Sequence, residues 1–250
     1  VITPSDAYIK DTAAFTRTLS EAVKAAEERD KLVTIGIAPT FPATGYGYIR
    51  FDKTQDTAAK TVAEFKEKPD EETARAYLET GAYAWNSGMF IWKAGVILDK
   101  FRQFIPDIYA DLKQIGDAIG QDNEYDVVNA VYPNIRKISV DYAIMEPSAS
   151  SGDVLVVPGE FGWNDVGSWD MMGVLHETDG QGNIALGDVI AINTTSSIVY
   201  SSKKLVAVVG VDNLVVVETP DAIMVCGKDK AQDVKLIVDK LNATGRKEFL

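Results

Sequence analysis

The alternation of strand-like and helix-like segments is the feature that most constrains the fold of this chain. Before about Gly180, apolar runs typical of strands are interspersed with segments whose apolar residues recur at helical spacing. Such alternation predicts an α/β sheet covered by helices. After Gly180 the pattern changes to short strand-like runs rich in Val and Ile, which are separated by Asn, Gly, Ser and Asp.

The two regions predict two domains, with the boundary in the polar segment 179–183. The first domain, residues 1–180, is predicted to contain helices over 13–29, 70–80, 96–104 and 108–119, and strands over 32–38, 48–51, 61–65, 82–92 and 153–157. The second, residues 181–250, is predicted to be β-rich and to end in an amphipathic helix over 229–241. No strict hexapeptide repeat is present, which argues against a long regular β-helix.

Composition excludes several classes of function. The net charge of −12 argues against a protein that binds a nucleic-acid backbone. His176 is the only histidine, which excludes a Cys/His zinc site and a Ser-His-Asp triad within this chain. Cys226 is the only cysteine, and no apolar run is long enough to span a bilayer. With no signal-peptide pattern visible, we expect a cytoplasmic protein with no membrane partner.

The segment Trp-Asn-Asp-Val-Gly-Ser-Trp at 163–169 combines two tryptophans, two small flexible positions and an acid. Its composition predicts a tight turn with rings packed beneath a bent backbone. Asp165 in such a turn is well placed to be an oxygen ligand for a hard cation. The alternative is that Asp165 caps a helix over 168–175.

Three further segments contain candidate ligand-binding residues. Gly45 and Gly47 alternate with tyrosines at the entry to a strand, where glycine lets the backbone approach a ligand; a tight loop is the alternative. Glu67 and Lys68 precede Pro69, which we expect to hold Lys68 extended so that the two side chains point in roughly opposite directions. A Lys held in one position can bind a phosphate, and a Glu can accept hydrogen bonds from sugar hydroxyls. The alternative is that both residues lie in a solvated loop.

Asn86 and Gly88 interrupt an aromatic strand, although both residue types form strands poorly. Asn86 is therefore either a clamp for a sugar hydroxyl or a buried amide that satisfies the backbone.

Together these segments resemble the sugar-1-phosphate nucleotidyltransferases and, within them, the bacterial mannose-1-phosphate guanylyltransferases (GDP-mannose pyrophosphorylases). The resemblance covers nearly the whole chain. Six motifs carry it in order, at residues 4–6, 36–49, 65–69, 85–90, 138–146 and 163–169. It implies a Rossmann-like mixed sheet of the GT-A type with a β-helix-like C-terminal subdomain. It also implies a cytoplasmic homodimer formed through that subdomain.

The resemblance further implies that a guanylyl group is transferred from GTP to mannose 1-phosphate, giving GDP-mannose and pyrophosphate. Asp6 and Asp165 would hold Mg²⁺. Gly47 and Glu67 would contact the mannose, and Asn86 would contact another part of the ring or its phosphate. Lys68 would neutralise the sugar phosphate and, with the two aspartates, form the catalytic set.

In the same family pattern, the motif that contains Asp141, Tyr142 and Glu146 would support the pocket, with no chemistry assigned to it.

Two departures from the family pattern stand out. The glycine-rich loop with an Arg that holds the nucleotide triphosphate is absent, and Ala7 stands where the family usually has His. Residues 1–6 are typical of a strand end, so we expect a truncated chain that is inactive by itself. The alternatives to a guanylyltransferase are a catalytically inactive fragment that binds a sugar phosphate and forms dimers, or a related uridylyl- or thymidylyltransferase.

Overall fold

The computed structural model describes residues 1–249, which divide into two compact units. The first unit comprises Val1–Ser5 and Ile9–Trp163, and the second comprises Asp6–Tyr8 and the chain from Asn164 onward. Asp6 therefore belongs to the same unit as Asp165, although most of the chain separates them in sequence.

The first unit is built around a mixed sheet. The strands up to residue 164 are β1 (Tyr8–Ile9), β2 (Leu32–Ile37), β3 (Tyr48–Phe51), β4 (Lys60–Lys66), β5 (Tyr83–Ile91), β6 (Val154–Gly159) and β7 (Trp163–Asn164). β1 pairs with β7, and the other five close on themselves in the order β2-β5-β3-β4-β6. Among these five, only the β2–β6 pair is parallel. All five strands predicted for this region are confirmed.

Helices pack against this sheet. They are α1 (Thr12–Arg29), α2 (Glu71–Thr80), α3 (Ala94–Phe104), α4 (Pro106–Ala118), α5 (Glu124–Val131) and α6 (Glu146–Ser150). The four predicted helices are confirmed, and each of their ends lies within two residues of the prediction. The caps explain this accuracy: the Asp11 carboxylate accepts from the Ala14 amide at 2.9 Å, and the Asp70 carboxylate accepts from the Thr73 amide at 2.8 Å. The sequence analysis missed α5, α6 and a π-helix at Asp141–Met145.

Both faces of the sheet are buried, in two hydrophobic clusters. Val33, Ile35 and the alanines of α1 lie in one cluster, whereas Leu32 and the buried residues 143–145 lie in the other. Successive strand residues face opposite sides. This alternation places Trp85 in the first cluster and turns Asn86 toward the side of residues 143–145.

The second unit is a short stack of parallel strands. Its strands and helix are β8 (Ile184–Leu186), β9 (Val189–Ile192), β10 (Ile198–Ser201), β11 (Val206–Val209), β12 (Leu214–Glu218), β13 (Ile223–Gly227) and α7 (Val234–Thr244). β8, β10 and β12 pair in parallel, as do β9 and β11, and β13 adds antiparallel to β12. The β-helix-like prediction is confirmed. The α-helix begins at Val234, because residues 228–233 form a 3-10 turn.

Within residues 1–249, every helix is too short or too polar to cross a lipid bilayer.

Candidate functional site

Three neighbouring strands bring Gly47, Glu67 and Asn86 side by side. Gly47 precedes β3, Glu67 follows β4 and Asn86 lies within β5; β3 pairs with both of the other strands. The backbone N–H of Asn86 donates to the Gly47 carbonyl at 2.8 Å. A Cβ placed on Gly47 would overlap the Glu67 carboxylate oxygen Oε2 and lie 3.2 Å from the Asn86 Cβ. A side chain at this position would therefore displace the end of the Glu67 side chain.

Lys68 reaches the same place through an ion pair. Its Nζ lies 3.1 Å from Glu67 Oε1, and its side chain is 58% exposed whereas that of Glu67 is 10% exposed. The hydrogen bond with Glu67 raises the pKa of Lys68. The pKa of Glu67 is also raised, first by burial and then by the negative charge of Asp141. An accessible lysine side chain thus lies against a carboxylate that is largely shielded from solvent.

The prediction that Lys68 is extended and points away from Glu67 is wrong. The backbone of Lys68 has φ 45°, in the left-handed region. Pro69 disfavours the right-handed helical region for the preceding residue, but the left-handed turn also avoids that region. This turn brings the ammonium back onto Glu67.

Asn86 is buried and its amide contacts several neighbours. Oδ1 accepts from the Gly88 amide at 3.3 Å and lies 2.9 Å from the Thr34 hydroxyl. Nδ2 donates to Asp141 Oδ1 at 3.1 Å. An amide nitrogen has two donor hydrogens, so one N–H is left for a ligand. The reading of Asn86 as a buried amide that satisfies a backbone group is therefore confirmed, and its role as a clamp for a sugar hydroxyl stays a prediction.

Two acids of segment 138–146 contact the candidate residues Glu67 and Asn86. Asp141 contacts Asn86, and burial is the largest cause of its raised pKa. Glu146 Oε1 accepts from the backbone amide of Glu67 at 3.0 Å. The only signal in the sequence is the pair of acids flanking an apolar run at 143–145.

Asp6 and Asp165 both belong to the second unit, whereas the residues described above belong to the first. β1 pairs with β7. Beyond these strands, the amides of Lys10 and Asp11 donate to the carbonyls of residues 162 and 161 respectively, so the two segments run antiparallel. This course carries the residues before β1 toward those after β7. The predicted roles of both aspartates remain predictions.

Asp165 sits in the tight turn that the sequence predicts. Val166 has φ 49°, and its amide donates to Asn164 Oδ1 at 2.7 Å. A Cβ on Gly167 would lie 2.7 Å from Asp165 Oδ2, so glycine leaves space for the carboxylate. Ser168, not Asp165, is the N-cap of the following 3-10 helix. The helix-cap reading of Asp165 is therefore wrong.

The donor set of the two aspartates fits a magnesium ion that is shared with a substrate. Within residues 1–249, no group of three or more His, Cys, Asp or Glu is arranged to hold a metal ion. Mg²⁺ commonly takes only one or two carboxylates and completes its shell with substrate phosphates and water. The two aspartates match that pattern of one or two protein carboxylates.

Two protein families match the chain. The family described as Nucleotidyl transferase matches residues 1–182, and the family described as MannoseP isomerase/GMP-like beta-helix domain matches residues 187–241.

Curated relatives match over almost the whole chain. The Xanthan biosynthesis protein XanB of Xanthomonas campestris pv. campestris (strain B100) is 43% identical over 99% of this chain and 52% of its own length. Mannose-1-phosphate guanylyltransferase of Escherichia coli (strain K12) is 42% identical over 99% of this chain and 52% of its own length. The chain spans about half the length of the curated relatives it matches.

A solved structure has the same fold. The crystal structure named mannose-1-phosphate geranyltransferase from Thermus thermophilus superposes with a TM-score of 0.81 at 33% identity, covering 96% of this chain and 68% of that one. The crystal structure of mannose-6-phosphate isomerase from Helicobacter pylori gives a TM-score of 0.54 at 26% identity, covering 65% of this chain and 62% of that one.

Proposed function

The chain belongs to the nucleotidyl transferase family, and on that premise we propose that it forms the sugar-phosphate side of a mannose-1-phosphate guanylyltransferase. The enzyme transfers a guanylyl group from GTP to mannose 1-phosphate, giving GDP-mannose and pyrophosphate. The contacts that bring Gly47, Glu67, Lys68 and Asn86 together carry this proposal. The names of the relatives favour guanylyl transfer over the uridylyl or thymidylyl alternative.

The pocket offers complementary groups for a sugar phosphate. The Glu67 carboxylate accepts hydrogen bonds from hydroxyls, and the free N–H of Asn86 donates one. The Lys68 ammonium is exposed enough to leave Glu67 for a phosphate, where it neutralises charge. The absence of a side chain at Gly47 lets the sugar approach both groups.

The reaction needs no nucleophile from the protein. A phosphate oxygen of the sugar attacks the α-phosphorus of GTP in line, and pyrophosphate leaves. The residues of this chain contribute alignment of the sugar phosphate and neutralisation of its charge. Asp6 and Asp165 are the residues that would hold Mg²⁺, which when bound supplies charge neutralisation at the phosphates.

The activity is tested on the complete protein with a coupled assay for pyrophosphate. We expect release to require GTP and mannose 1-phosphate together, and to fall when UTP, dTTP or glucose 1-phosphate is substituted. Equal rates with glucose 1-phosphate, or with UTP, would contradict the proposed specificity.

Lys68→Ala is expected to weaken binding of mannose 1-phosphate. A charge-assisted hydrogen bond is worth about 1.5–3 kcal/mol, which corresponds to a roughly 10- to 150-fold higher Kd. Isothermal titration calorimetry on the 250-residue chain measures it. Lys66→Ala is the matched control, because Lys66 is also exposed but belongs to β4 and has no place in the pocket. An equal loss of affinity in the two variants would show that Lys68 contributes only through the general charge of the surface.

We further propose that the second unit mediates self-association. Several of its strand residues expose apolar side chains, including Ile192 at 51%, Ile223 at 65% and Val225 at 59%. Exposed apolar strands favour pairing with another copy.

Ile223→Lys with Val225→Lys is the variant that tests this proposal. Both positions are exposed, so we expect the fold to be kept. The dissociation constant of the dimer should rise about 100-fold. Sedimentation velocity measures the shift. Leu98→Lys, at an exposed apolar position of α3 in the first unit, is the control. A dimer that persists unchanged in the double variant excludes this surface.

A further inference from the structure

We propose that Asp141 is a positioning residue that orients the Asn86 amide, so that the pocket presents an N–H donor and selects a sugar hydroxyl that accepts a hydrogen bond. The inference rests on the proposed function, because the ligand is taken to be a sugar 1-phosphate. The proposed role of Asp141 is to contact Asn86, and Asn86 in turn contacts the sugar.

The Thr34 hydroxyl by itself leaves the amide orientation underdetermined, so the Gly88 backbone amide and Asp141 are the groups that set it. The Thr34 hydroxyl lies 2.9 Å from Asn86 Oδ1 and also 3.0 Å from the Met89 carbonyl. A hydroxyl has one hydrogen and can also accept. If Thr34 donates to Met89, it can accept from the amide as readily as it can donate to it. Thr34 is therefore compatible with either orientation of the amide.

Asp141 removes this ambiguity. An ionised carboxylate only accepts hydrogen bonds, and Asp141 Oδ1 lies 3.1 Å from Asn86 Nδ2. The reversed amide would place its oxygen against that carboxylate and away from the Gly88 amide, which donates to Oδ1 at 3.3 Å. With Nδ2 turned to Asp141, one N–H remains free beside Gly47, since a Cβ added to Gly47 would lie 3.6 Å from Nδ2.

The π-helix at Asp141–Met145 explains how one segment serves two site residues. In an α-helix, residues five apart point about 140° away from each other. Here the Glu146 amide donates to the Asp141 carbonyl, and this i→i+5 bond stacks the two residues. Asp141 thereby reaches Asn86 while Glu146 accepts from the Glu67 amide at 3.0 Å.

The ionised form of Asp141 is disfavoured by burial in the folded state. Burial, the largest cause, raises its pKa, and its charge raises the pKa of Glu67. A raised carboxyl pKa means that the folded state holds the proton more tightly than the unfolded state. The ionised group therefore lowers stability at neutral pH, and stability is regained as pH falls through the folded-state pKa. Asp141→Asn should accordingly raise Tm, which a purely structural residue would not do.

The binding test uses the 250-residue chain with mannose 1-phosphate and its 2-, 3-, 4- and 6-deoxy analogues. In the parent chain, we expect one of the deoxy analogues to bind with a higher Kd than mannose 1-phosphate. This penalty in Kd should disappear in Asn86→Ala. Asp141→Ala should weaken mannose 1-phosphate binding about tenfold and erase the same single penalty. Asp141→Asn can donate as well as accept, so it should keep only part of that penalty, whereas Thr34→Val should keep all of it. Asp126→Ala on the exposed face of α5 is the matched control.

A uniform loss for all analogues in Asp141→Ala, or an intact deoxy penalty, would overturn the proposal. A second measurement needs no ligand: the side-chain NH₂ resonances of Asn86 in the NMR spectrum of the chain. We expect one of its two protons to be protected from solvent exchange, and to lose that protection in Asp141→Ala but not in Thr34→Val. If the parent chain binds no sugar 1-phosphate, the proposed function fails, while this spectrum still decides whether Asp141 holds the amide.

Discussion

Gly47→Ala is expected to abolish binding of mannose 1-phosphate, with Kd rising by at least about 100-fold. The added methyl group would overlap Glu67 Oε2 and crowd the Asn86 Cβ at 3.2 Å, so the carboxylate and the amide cannot both keep their positions. A displacement of about 1 Å in a positioned site costs on the order of 100-fold. Titration calorimetry measures Kd, and circular dichroism checks that the fold is retained.

Gly45→Ala is the matched control for this prediction. It lies two residues away in the same loop, and a Cβ there would meet no atom within 4 Å. We expect its Kd to equal that of the parent chain. If the two variants behave alike, Gly47 is required for the loop and not for the pocket.

Asp165→Asn is expected to reduce turnover of the complete protein by about 10²–10³-fold while leaving its fold intact. The replacement is nearly isosteric, but it removes one of the two carboxylates proposed to hold Mg²⁺. Loss of a single preorganised electrostatic contact in other enzymes costs about this much. The pyrophosphate assay at increasing Mg²⁺ concentration measures turnover.

Two companion variants sharpen this prediction. Gly167→Ala should reproduce much of the loss, because its Cβ would lie 2.7 Å from Asp165 Oδ2 and displace the carboxylate. Asp188→Asn, an exposed acid of the second unit, should leave turnover unchanged. Near-normal turnover of Asp165→Asn at saturating Mg²⁺ would remove Asp165 from the metal site.

Local chemistry made much of the fold predictable. The segment of β2, which is apolar apart from Thr34 and Gly36, predicts a strand, and all six of its residues are buried. Asp70 and Gly81 predict the two ends of α2, and both are its caps. These signals depend only on residues close in sequence.

The missed elements lack such local signals. The π-helix has neither the helical nor the strand period, and its extra residue per turn serves contacts with Asn86 and Glu67 far away in sequence. The conformation of Lys68 was predicted wrongly for a related reason, because Pro69 excludes one backbone region without choosing between the remaining ones.

The sequence by itself determined which residue types are available: a glycine at 47, an acid and a lysine at 67 and 68, and an amide at 86. It also determined the strands that carry them, since side-chain periodicity and caps act over a few residues. Only the tertiary structure decided that these positions meet, because the pairing of β3 with β4 and β5 joins distant segments. It likewise decided that Asp141 faces Asn86 and that Lys68 turns back onto Glu67. Hydrogen bonds and ion pairs form between groups that are close in space, and distance along the chain does not specify them.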